Sequence, residues 1–116
     1  MSKVSTSYYR APVSAALTSA AGVTTRLVLS SSSEVESAFR AQRSALVSRG
    51  YAGKSVMGPI AVTRITERAC LLQAKGTRYK GTGDEVLEHI DASYLAELFD
   101  EDGYRFTALW AEVTNP

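Results

Sequence analysis

One cysteine, one histidine and three prolines are all that the 116 residues hold of those types. With Cys70 alone an intrachain disulfide is excluded, and a reducing compartment is permitted. Cys70 and His89 together are too few ligands for a zinc centre. No metal and no cofactor is expected. An excess of either charge is also lacking, since 13 basic residues against 12 acidic ones leave a net +1. That balance argues against nucleic acid as a partner, because such domains carry a basic excess or stripe. No apolar run approaches the roughly 20 residues that span a bilayer. The N-terminal residues lack the basic segment and apolar block of a secretion signal; residues 11–21 are merely small, and broken by Ser and Thr. The expectation is a cytoplasmic protein without a membrane partner.

What the chain does have is ordinary globular chemistry: 45% apolar and 22% charged residues, enough for one core and not two. Residues 1–7 are polar and read as a disordered tail, and residues 8–114 as a single domain. Residues 13–17 and 23–29 read as two short strands around a loop. Ser33 and Glu36 match a capping box and predict a helix over residues 34–48. Val35, Phe39, Gln42 and Leu46 form its apolar stripe, and Gly50 stops it in a left-handed conformation. Arg40, Arg43, Arg49 and Lys54 read as a solvated basic face. Residues 51–58 read as a connection. Strands are expected over 60–66, 69–79, 86–99 and 104–113, the last three forming a long antiparallel meander. Their lengths call for bulges, and Gly76 is read as a bulge or a tight bend in its strand.

The order of short motifs resembles a known superfamily. Tyr9-Arg10-Ala11-Pro12, the Glu34-Val35-Glu36 helix, Arg49-Gly50-Tyr51 and Gly76-Thr77-Arg78-Tyr79 come first. Asp91-Ala92-Ser93-Tyr94-Leu95 and Asp102-Gly103-Tyr104-Arg105-Phe106 follow. Over residues 8–113 this is similar to the ketosteroid isomerase and nuclear transport factor 2 superfamily, also called SnoaL-like. The resemblance implies an α+β cone of cystatin-like type, a curved antiparallel sheet wrapped around one main helix, here truncated at the N-terminus. It also implies a pocket for a small apolar ligand and homodimerisation through the sheet. Chemistry varies so widely in this superfamily that the fold alone implies none. Two departures from the resemblance stand out: the long helix usual before the Tyr-x-x-Pro region is expected to be missing or supplied by another chain, and Glu112 stands where relatives often carry a histidine.

His89, Asp91 and Ser93 alternate along one strand and so share a side. If that side lines the cone, Asp91 or Glu112 could accept a proton with His89 as partner; otherwise it faces solvent or a dimer partner. Tyr79, alternating with Thr77, Lys75 and Gln73, could donate a hydrogen bond to a carbonyl. Trp110, on the side of Glu112, Ala108, Phe106 and Tyr104, could supply an apolar wall. Tyr79, Trp110, Tyr94 and Phe39 are thus the candidate ligand-binding residues. Two readings follow: a small-molecule-binding protein with acid–base activity, or a non-enzymatic dimerisation module. Gly53-Lys54-Ser55 is rejected as a phosphate loop, because Ser48 replaces the required glycine and a helix precedes it.

Overall fold

The structure is a computed structural model describing residues 7–116. The tail expected at 1–7 therefore lies, except for Ser7, outside the described residues. The elements are β1 (Tyr9–Thr18), β2 (Thr24–Leu29), α1 (Ser32–Ser48), β3 (Tyr51–Met57), β4 (Ala61–Thr66), β5 (Ala69–Lys80), β6 (Glu85–Phe99) and β7 (Gly103–Thr114). All strands join one curved, unclosed sheet in the order β2-β1-β7-β6-β5-β3, with β4 also paired to β5. β1 runs parallel to β7, and the other pairs are antiparallel. No helix among the described residues is long and apolar enough to cross a membrane.

The helix starts two residues earlier than its pattern predicts. Ser31, not Ser33, is the N-cap; its hydroxyl accepts from the Glu34 N–H, while the Glu34 carboxylate accepts from the Ser30 N–H. At the other end the Arg49 and Gly50 N–H groups close onto the last carbonyls, and Gly50 has φ 90°, a conformation that only glycine adopts without strain. α1 lies on one face of the sheet, called inner below. Val35 packs there against Val13 and Leu29, beside Tyr9, Ala38 and Phe39. Burying each such aliphatic side chain stabilises the fold by about 1.5–3 kcal/mol.

A second cluster of Ala15, Ala92, Leu109 and Ala111 continues the inner face. Tyr9, Tyr94 and Phe106 close one end of it, with ring centroids 5.0–5.5 Å apart, and Phe39 of α1 stacks 4.8 Å from Tyr9. Ile90, Ala92, Tyr94 and Ala96 thus form the buried side of β6.

Three sequence expectations need correction. Residues 51–57 are a strand and not a connection. β3 is an exposed edge held by backbone pairing to β5, so burial imposes no alternation on its side chains. Gly76 is not a bulge, since pairing with Ile90 runs through it unbroken. A Cβ there would collide with Met57 Sδ and meet the Val56 carbonyl at 3.0 Å, so the glycine serves a close strand approach. The bulges lie instead at Leu87 in β6 and Thr107 in β7, where pairing skips one residue. Thr107 reverses the alternation, so Phe106 turns to the inner face while Ala108 and Trp110 turn outward.

Candidate functional site

Between α1 and the inner face, reaching the β1–β2 turn, is a cavity of about 610 Å³. Leu17, Val23, Leu46, Ile90, Ala111 and Val113 supply its apolar wall. Its charged lining consists of Arg49, Arg78 and Glu88. The sheet register brings them together: Arg78 of β5 is paired directly with Glu88 of β6. Tyr51 pairs with Lys80, which carries the end of α1 and Arg49 over the same strands.

Glu88 has only 1% of its side chain exposed, yet carries a carboxylate. Arg78 Nη1 donates to its Oε2 at 2.6 Å, and Arg49 Nη1 stands 2.6 Å from its Oε1. The second contact is ionic only, because no N–H is aligned on Oε1, which has no hydrogen-bond partner. Arg78 is 14% exposed and Arg49 50%. A buried carboxylate costs several kcal/mol to desolvate unless it is paired, and two guanidiniums overcompensate it by one charge. The solvated role expected for Arg49 is thus corrected: its head group joins a buried ion pair.

The expected catalytic residues lie elsewhere. His89, Asp91 and Glu112 sit on the outer face, away from α1, around an open groove of about 540 Å³ with Lys75 and Thr77. The fold does bring them together: Asp91 is paired with Glu112 across β6 and β7. Lys75 Nζ is 4.0 Å from Asp91, and Thr77 Oγ1 is 3.1 Å from His89 Nδ1. His89, Asp91 and Glu112 are exposed.

Of the expected ligand-binding residues, Trp110 is 45% exposed on the outer face beneath the Arg26 guanidinium. Tyr79 is half-buried, with Lys54 Nζ 4.7 Å from its ring centre. Phe39 and Tyr94 do face inward, but are used in the aromatic cluster and do not line the cavity. Burial holds both Tyr9 and Tyr94 above the usual phenol pKa; Tyr94 adds to the effect at Tyr9, and Arg78 opposes it at Tyr94.

Sequence reasoning missed Glu88 and Arg78 as a pair. The signal was present: Glu88 shares the parity of Ile90 and Ala92, and Arg78 that of Ala74 and Gly76. A charge on the apolar parity of each of two neighbouring strands points to a buried ion pair.

No protein-family model matches the chain, and no curated protein matches it in sequence. Solved structures do. A ketosteroid isomerase-like protein from Erwinia carotovora atroseptica superposes with a TM-score of 0.61 at 10% identity, covering 94% of this chain and 78% of that one. A nuclear transport factor 2-like protein of unknown function from Pseudomonas aeruginosa gives 0.62 at 11% identity, covering 95% and 76%. A Nostoc punctiforme protein of unknown function with a cystatin-like fold gives 0.62 at 9% identity, covering 91% and 71%. The α+β cone and the resemblance read in the sequence are thereby borne out at the level of fold. Identities this low carry nothing about chemistry.

Proposed function

We propose that the protein binds a small, mainly apolar molecule in the cavity between α1 and the sheet. The observation that supports this is the cavity of about 610 Å³, aliphatic along its wall and charged at Arg49, Arg78 and Glu88. Ligand sites share that make-up, apolar linings with a few placed polar groups in roughly 300–1,000 Å³. Acid–base catalysis by Asp91, His89 and Glu112 would have to occur in the open outer groove, and the binding reading does not require it. The unpaired Cys70 suits a cytoplasmic setting.

A neutral aromatic probe, naphthalene-1-carboxamide, tests the proposal by NMR. It should shift the amides of Leu17, Ile90 and Val113 and leave the Trp110 indole in place. Val113→Trp should fill the space and abolish those shifts with the fold intact. Shifts confined to the outer face, or none at millimolar probe, would overturn the reading.

A second proposal rests on a different observation. Leu71, Leu95, Ala108 and Trp110 line an apolar depression of about 420 Å³ on the outer face, which α1 does not cover. We infer that a second copy of the chain covers it. The same face carries Arg26 and Lys75 with Asp91 and Glu112, both signs that a two-fold pairing needs.

A further inference from the structure

We propose that the cavity ligand is a monocarboxylate, an apolar acid whose head group docks on the guanidiniums of Arg49 and Arg78. This rests on the cavity reading and adds the chemical class. Arg49, Arg78 and Glu88 are the charged residues that line the cavity among the described residues, so their sum is one positive charge. A monoanion neutralises that sum, whereas a dianion would leave a net negative charge in a partly buried site. A cationic head group would add to the excess.

The donors are also available. A guanidinium carries five N–H groups. Arg78 donates to Glu88 through Nη1, and Arg49 holds Glu88 by charge without an aligned N–H. Glu88 fixes the two cations beside each other, and each retains donors for a second planar acceptor. Guanidinium forks match carboxylates in geometry as well as charge. Glu88 is therefore a positioning residue: it is too buried, and too fully neutralised, to be the group that the ligand meets first. Gly50 turns the chain directly after Arg49, so the Arg49 head group is held at the end of α1, half in solvent. The aliphatic wall of Leu17, Val23, Leu46, Ile90 and Val113 then receives the ligand's apolar body.

Calorimetric titration of the full chain at low salt with naphthalene-1-carboxylate and naphthalene-1-carboxamide tests the inference. The carboxylate should bind at least tenfold more tightly, and NMR should place it at Arg49, Arg78 and Ile90. Arg49→Gln should bring the two ligands within about twofold by weakening the acid alone, while Arg49→Lys should keep part of the preference. Arg49 pairs with the buried Glu88, so Arg49→Gln should melt at a lower temperature while staying folded by circular dichroism, and Arg49→Lys, which keeps the charge, should melt closer to the parent. Equal binding of acid and amide in the cavity would overturn the carboxylate assignment and leave the apolar-ligand reading standing. A preference that survives Arg49→Gln would also overturn it. Binding of neither ligand would overturn both.

Discussion

Glu88 sits on a face that otherwise buries aliphatic and aromatic side chains, and it is held there by charge. Removing one member of a buried pair strands the other, at a cost of roughly 3–5 kcal/mol. Glu88→Ala should therefore lower stability by about that amount in urea unfolding, because Arg78 is left 14% exposed without its acceptor. The double variant Glu88→Leu with Arg78→Leu should recover most of the loss, since apolar replacements of such pairs are often neutral or stabilising. A cost below about 1 kcal/mol for Glu88→Ala, the range of a surface pair, would show that the cluster does not hold the fold. Tyr9 and Tyr94 give a second residue-scale prediction. An unfolded tyrosine ionises near pH 10, whereas burial keeps both phenols protonated above that point in the fold. The native state then retains protons that the unfolded state has released. By linkage this contribution is complete below about pH 10 and is lost as pH rises through the folded values. In an ultraviolet tyrosinate titration of the six tyrosines, two should lag, and Tyr9→Phe and Tyr94→Phe should each remove one. Simultaneous ionisation of all six would contradict the burial argument.

At the scale of elements, α1 is fixed by its ends as much as by its stripe. Ser31→Ala removes the hydroxyl that accepts from Glu34 and should cost about 1 kcal/mol, read as a lower urea midpoint. Ser33→Ala should cost little, although both serines precede a glutamate by three positions and look alike in sequence. The meander was legible because its strands bury one side, and burial writes a period of two into β6 and one of 3.6 residues into α1. β3 was not, because neither of its faces is covered, and backbone pairing leaves no mark on side-chain pattern. The bulge at Thr107 hid more. Strict alternation assigns Phe106 and Trp110 to one side, and a single unpaired residue sends them to opposite faces. The candidate site suffered for a similar reason. His89, Asp91 and Glu112 are conspicuous as polar residues on one parity, but parity alone does not say which side α1 will cover. Glu88 and Arg78 were hidden among apolar neighbours, where a charge is informative only once its partner across the sheet is known.

For the whole molecule, the proposed ligand site and the proposed self-contact lie on opposite faces of one sheet. The inner face, with α1, lines the open-sided cavity; the outer face presents Trp110, Leu71, Leu95 and Ala108 without a cover. Monomeric proteins seldom leave a contiguous apolar patch of large extent in water, which is the basis for expecting a second copy there. Light scattering at tens of micromolar should thus report a dimer. Trp110→Asp and Leu95→Lys should each shift it to the monomer, because a two-fold contact places every introduced charge twice in the same interface. Circular dichroism should be unchanged in Trp110→Asp, since that side chain is 45% exposed before association. The monomeric variants should also bind the carboxylate probe as the parent does, because Arg49, Arg78 and Glu88 are reached from the opposite side of the sheet. A parent chain that is monomeric at these concentrations would overturn the self-association proposal and leave the cavity untouched. Loss of probe binding on dissociation would instead show that a second copy completes the cavity, and the separation of the two faces would fail.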